Sequence, residues 1–259
     1  MICLKAFSSP LHLPTLRRIA PPSSALRTRI AAMSSSSSAV AAPVEHIVLL
    51  KARPEAVASG AAAAMALATQ VPGLAYIHAG PVLRLRSPAA EALGPTHLLH
   101  SRYATKQDLA SYAAHPAHVA AVQGHVLPNA LDTTAVDWVN AAELPSPVSP
   151  GSAVRLTLAK VKEGVEVAQL VEKVAAATKA AGEAKGAKVS FGENFSPARA
   201  KGYQFGMVAV FDSVEELDAV EGDGKVEEAK AAVRPLLDEV VVLDFVVEAA
   251  GGAPSPASL

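Results

Sequence analysis

The chain has a single cysteine, Cys3, placed in a segment whose composition marks it for removal, which excludes an internal disulfide and a cysteine-ligated zinc site. Neither sign of charge is in excess. The 23 Lys and Arg stand against 24 Asp and Glu, and the lysines are spread rather than clustered, so no nucleic-acid or polyanion partner is expected. No apolar run reaches the roughly 18 residues that a membrane-spanning helix requires. The alanine-rich stretch 60–68 is short and ends near Pro72, and no membrane partner is expected either. Aromatics make up only 4% of the residues, so a tyrosine set among histidines stands out. What the chain has in quantity is alanine, which carries much of the 51% hydrophobic content and lets helices pack closely with little bulk. At 259 residues it is long enough for two domains, each with its own core.

Residues 1–43 are rich in Ser, Ala, Pro and Arg and contain no acidic residue, the composition of a transit peptide or disordered leader. A chloroplast address is therefore expected. A peroxisomal address read from the C-terminal Ala257-Ser258-Leu259, particularly with translation starting at Met33, and the cytosol are the alternatives. From Val44 the pattern predicts a strand to Lys51, a helix opened by Pro54 with Val57, Ala61, Met65 and Ala68 on one face, and strands over 74–85 and 96–104 joined by a polar loop over 87–94. Lys106 to Ala114 reads as a short helix opened by Thr105, a second helix follows Pro116, and Leu131 to Asn140 reads as the closing strand. This order builds an α+β unit of about 100 residues, an antiparallel sheet with helices on one face.

The proline-rich segment 141–152 reads as a stiff linker, and then the plan repeats. Ala153 to Lys160 matches the first strand, with Arg155 at the His46 position. Phe211 to Leu217 matches Tyr103 to Leu109, and Val241 to Val247 matches Ala135 to Val139. The organisation is a domain over 44–140, a second over 153–248, and a disordered tail over 249–259. The second copy lacks the polar set of the first. Val220 stands for Tyr112, Asp223 for His115, Val226 for His118 and Phe205 for His97.

That polar set centres on Ser111 to His118, where a tyrosine and two histidines fall within seven residues. Pro116 cannot lie inside the preceding helix and biases His115 away from helical angles, so His115 falls in a corner between two helices. Tyr112 and His118 can then converge across the corner, a phenol of pKa about 10 beside an imidazole of about 6.5, a pair suited to proton transfer. The same residues equally suit a structural corner in which the histidines satisfy nearby carbonyls. His115 and His118 also have the spacing of two metal ligands, but with no carboxylate beside them.

The VEHIVLLK first strand, the Val71-Pro72-Gly73 turn, the THLLH strand from Thr96, the HPAH corner and the V-D-W/F final strands resemble the stress-response A/B barrel family, in its plant tandem two-domain form. The resemblance implies two ferredoxin-like dimeric α/β-barrel domains whose antiparallel sheets pair into one intramolecular barrel, a pseudo-dimer, with further homo-oligomerisation open. It also implies a stress-response protein whose barrel cavity binds a small apolar or polyketide-like molecule. The N-terminal copy is similar to plant polyketide cyclases of the olivetolic acid cyclase type, which implies an alternative: aldol ring closure, a lyase-like reaction, with Tyr112 and His118 as catalytic acid and base and with His46, His97 and His115 as binding residues. No cofactor is required by that chemistry. The family resemblance further implies a weak, structural magnesium ion on the backbone carbonyls of Ala68, Val71 and Leu74, where unpaired helix-end carbonyls lie at the negative end of the dipole.

Overall fold

The computed structural model describes residues 42–54, 73–142, 148–181 and 187–248. The leader, the helix predicted after Pro54, most of the linker and the tail lie outside the described residues.

Strand β1 (Val44–Ala52) is the centre of the first half because it has two antiparallel neighbours, β3 (His97–Tyr103) and β4 (Ala130–Val139). β2 (Leu74–Leu85) pairs with β3 through its first part, and its last residues continue onto the other half, with Val82 opposite Phe245 and Leu85 opposite Leu243. The second half repeats the arrangement. β5 (Ala153–Val161) lies between β7 (Phe205–Phe211) and β8 (Leu237–Val246), and β6 (Lys188–Glu193) flanks β7.

The strands form one eight-stranded sheet in the order β4-β1-β3-β2-β8-β5-β7-β6. Its two ends meet: Trp138 bridges Asn194, the Ala141 amide donates to the Phe191 carbonyl at 2.8 Å, and Phe195 donates to Asp137 at 2.9 Å. The sheet thus closes on itself as the pseudo-dimeric barrel that the family resemblance implies, and closure removes the two edges that each half alone would expose.

Period-2 alternation sends Ile47, Leu49, Leu98 and Trp138 of the first half and Leu156, Leu158, Val208 and Leu243 of the second into one shared lumen core. Trp138 is fully buried, and Gly192 and Gly206 are what admit it, since a Cβ at Gly206 would run into the indole ring. The opposite face of each half-sheet is covered by helices. The polar loop predicted over 87–94 is instead helix α1 (Pro88–Leu93), which packs on the lumen core through Ala90: Ser87 caps it by accepting from the Ala90 amide, Pro88 sits in its first turn and Gly94 ends it in the left-handed region at φ 61°. Helices α2 (Lys106–Ala114) and α3 (Pro116–Ala121) follow as predicted around Pro116, and α3 runs on as a π turn, Val122–Val126. In the second half α4 (Val167–Ala181), α5 (Val214–Asp218) and α6 (Gly224–Val233) take the covering role.

Candidate functional site

β1 carries the chemistry of the first half on both faces. Residues 44, 46, 48 and 50 face the helices, and 45, 47, 49 and 51 face the lumen. On the helix side His46 lies opposite Asp137 of β4 and Ser101 of β3, and its Nδ1 is 2.5 Å from Asp137 Oδ1. Both side chains are buried. Burial alone would raise the Asp137 carboxyl, but the hydrogen bond and charge of His46, with help from Ser196 and Arg199, hold it below the usual carboxylate range.

A chain of rings runs on from His46. Tyr103 stands edge-on to His46 with centroids 6.5 Å apart, Tyr112 lies 5.2 Å from Tyr103, and His118 lies 4.5 Å from Tyr112. The α2–α3 corner sets the last two. Its second histidine donates from Nδ1 to the Ala113 carbonyl at 3.0 Å, leaving Nε2 as the nitrogen with a lone pair. Burial lowers the His118 pKa against the opposing pull of that carbonyl, and the neighbouring His46, Arg199 and His115 push it down further, so the ring is neutral near pH 7. Burial pushes the Tyr112 hydroxyl up to about 12. The pair is therefore a protonated phenol beside a neutral imidazole, the states required of an acid and a base.

His46, Tyr112 and His118 are thus brought together, whereas the other two histidines expected there are not. His115 is the N-cap of α3: its Nδ1 accepts from the Ala117 amide at 3.2 Å, so the residue shapes the corner. His97 faces the helix side, but it pairs with Leu50 while His46 pairs with Ser101, four residues or about 13 Å further along β3. Its Nδ1 meets Thr96 Oγ1 at 2.9 Å. Of the carbonyls expected around magnesium, Ala68 and Val71 lie outside the described residues, and Leu74 begins β2 opposite Tyr103. Among the described residues no group of three His, Cys, Asp or Glu could share a metal ion.

Two contributors could not be read from the first copy alone. Arg199 and Phe195 belong to the second half and cross the β4–β6 seam. Arg199 reaches Asp137 Oδ2 at 3.2 Å, and Phe195 packs into the Tyr103–Tyr112 cluster with Lys106 Nζ over its ring.

A second polar cluster lies on the lumen side. The Glu45 carboxylate meets His100 Nε2 at 2.8 Å and accepts from Arg102 Nε at 2.8 Å, while the Tyr76 hydroxyl is 3.1 Å from the same His100 nitrogen. All four are buried, and His78 stacks on Tyr76 while donating to the Val148 carbonyl. Desolvation would raise Glu45, but His100 and Arg102 outweigh it and hold the carboxyl low. The sequence signal was titratable residues at inward positions of two strands, Glu45 on β1 and His100 and Arg102 on β3, where the second copy has Val154, Val208 and Val210.

The same register aligns the helix-side sites of the two halves. Arg155 occupies the His46 position and binds Asp244, the counterpart of Asp137, at 2.8 Å; Phe211, Val220 and Val226 replace Tyr103, Tyr112 and His118. Asp223 caps α6 as His115 caps α3.

These features define a fused α/β barrel, two ferredoxin-like halves closed into one sheet with the polar cluster confined to the first. A family model described as Stress responsive A/B Barrel Domain matches residues 44–140 and again 153–247. One stress-response A/B barrel domain-containing protein of Arabidopsis thaliana is 37% identical over 241 residues, covering 89% of this chain and 88% of that one. A second protein of the same plant and the same description is 34% identical over 209 residues, covering 78% and 95%. A crystal structure of an anthrone oxidase-like protein superposes over 84% of this chain and 97% of its own with a TM-score of 0.57 at 13% identity, a likeness of fold. The chain belongs to the stress-responsive A/B barrel family, in a tandem two-domain form.

Proposed function

We propose that this stress-response barrel protein binds a small polyketide-like molecule, apolar in body and bearing carbonyl or hydroxyl oxygens, between the sheet and the α2–α3 corner of its N-terminal half. The observation that carries the reading is the row His46, Tyr103, Tyr112 and His118, anchored at one end on buried Asp137 and replaced by Arg, Phe and Val in the other half. A ring hydroxyl and a free imidazole nitrogen are directional partners for a ligand oxygen, and apolar neighbours supply the affinity.

A second reading, aldol ring closure, is favoured by one further feature. The Ala113 carbonyl fixes the His118 tautomer so that Nε2 is the basic nitrogen, 4.5 Å ring to ring from a protonated phenol. In that reading His118 removes the proton that creates the carbanion and Tyr112 protonates the new alkoxide. Linear polyketide thioesters offered to the full chain, His118→Gln and Tyr112→Phe separate the two. Binding without turnover, weakened in both variants, supports the ligand-binding reading. Turnover that falls on the order of a hundredfold or more in His118→Gln with the fold intact supports catalysis. Undiminished binding in both variants sinks the site. The acid-free leader supports import into plastids, and a chain tagged after Leu259 that stays out of plastids would refute that address.

A further inference from the structure

The C-terminal half, which has no equivalent of the Tyr112–His118 pair, contains a cavity of about 240 Å³ between the outer face of its sheet and the helices α4 and α6. Leu170 and Val174 of α4, Phe205 and Met207 of β7, and Val220 and Val226 line it, and the last two stand where Tyr112 and His118 stand in the first half. The polar groups at its margin are already engaged. Arg155 is held by Asp244 and Glu221, Thr178 Oγ1 donates to the Val174 carbonyl of its own helix at 2.9 Å, and Lys230 pairs with Glu227 at 2.8 Å. Among the described residues, the Thr157 hydroxyl on the floor is left without a hydrogen bond.

Size and chemistry together restrict the occupant. An apolar cavity of about 150 Å³ stays dry and admits benzene, while pockets for drug-sized molecules begin at about 300 Å³. A helix, about 10 Å across, has no room here. An ion entering the cavity would lose its hydration and find the described charged residues of its lining, Arg155 and Lys230, already paired.

We propose that the C-terminal half is a second, non-equivalent binding site that takes a neutral apolar molecule of roughly ten carbon atoms, a one- or two-ring hydrocarbon or its mono-alcohol, with the hydroxyl directed to Thr157. The site holds its ligand without transforming it, because among the described residues no unpaired acid or base reaches the cavity to activate the Thr157 hydroxyl. The proposal goes beyond the N-terminal site and does not depend on it.

The test titrates naphthalene, 2-naphthol and naphthalene-2-sulfonate into the full chain, followed by fluorescence and by methyl NMR. The expected result is saturable binding of the two neutral probes, one per chain, with methyl shifts at Val174, Met207, Val220 and Val226, and binding of the sulfonate at least tenfold weaker. Met207→Trp, which fills the cavity from β7, should weaken naphthalene at least tenfold while leaving the circular dichroism spectrum native. Ala177→Phe, filling it from α4, is the second variant if the first does not fold. Thr157→Val should weaken 2-naphthol and spare naphthalene. No saturable naphthalene binding, binding that survives cavity filling, or equal binding of the sulfonate overturns the proposal. Loss of naphthalene binding in His118→Gln would put the ligand in the other half and overturn it as well, whatever that variant does to polyketide binding.

Discussion

Arg199 of the C-terminal half reaches Asp137 of the N-terminal half at 3.2 Å, and the reach is reciprocated: Arg86, from the loop after β2, lies 2.7 Å from Asp244 of β8. Each half places an aspartate on its last strand, opposite its first, and each aspartate takes an arginine from the other half. The candidate site is therefore a property of the closed barrel rather than of one repeat. The seam that removes the sheet edges also delivers Arg199 and Phe195 to the site.

Asp137 should matter far more than the arginine that crosses to it. Asp137→Asn keeps the shape but removes the charge that orients His46, and should destabilise the fold by about 1–3 kcal/mol. Arg199 is 58% exposed, so Arg199→Ala should cost under about 1 kcal/mol. Urea denaturation of the two variants checks the order, and a reversed ranking would show that the seam contact, not the buried pair, holds the site.

The lumen cluster gives a sharper contrast. Glu45→Gln leaves Arg102 buried without its carboxylate and should cost about 3–5 kcal/mol, whereas the triple change Glu45→Val, His100→Val and Arg102→Val copies the second half and should recover most of that loss. Denaturant midpoints decide it. A triple variant less stable than the single one would mean the network contributes more than its apolar counterpart.

Acidification should destabilise the protein in two stages. Burial lowers the folded pKa values of His78, His97 and His118 below that of an unfolded histidine, about 6.5, so the folded state binds fewer protons and stability falls as the pH drops through that value. Glu45 and Asp137 are also held below their unfolded values, so the stability they contribute is present above about pH 4 and is lost as the pH falls further, through their folded values. Urea midpoints at about pH 7.5, 6, 5, 4 and 3 follow the trend, and His118→Gln should flatten the upper stage. A midpoint that rises between neutral pH and 5 contradicts the assignment.

Cut apart, the halves should find each other or themselves. Residues 42–142 expressed alone expose the β2 and β4 edges that β8 and β6 cover in the whole chain, so this fragment should run as a dimer in light scattering. A stable monomer would mean that the edges are protected by something other than pairing.

Much of the architecture was legible because it rests on local and periodic rules. The repeat, the strand pattern and the Pro116 corner follow from period-2 alternation and from proline's missing amide. Helix α1 was legible in principle too, since Ser87, Pro88 and Gly94 spell an N-cap, a first turn and a left-handed stop, yet six residues are too few for helical periodicity to show. The side of the sheet on which His97 and His100 lie followed from parity. What surrounds them did not, because that depends on which residues lie opposite on neighbouring strands.

The sequence by itself determined that there are two copies of one α+β unit and that only the first carries Tyr112 and His118. Tertiary structure alone decided that His46 stands against Asp137, that His100 is locked to Glu45 and Arg102, that His115 is a cap, and that Arg199 enters the site from the other half. The physical reason is range. A cap or a corner is settled by atoms within a few residues, whereas a hydrogen bond between residues 46 and 137, or an ion pair between 137 and 199, exists only once strand register and barrel closure have brought distant backbone together.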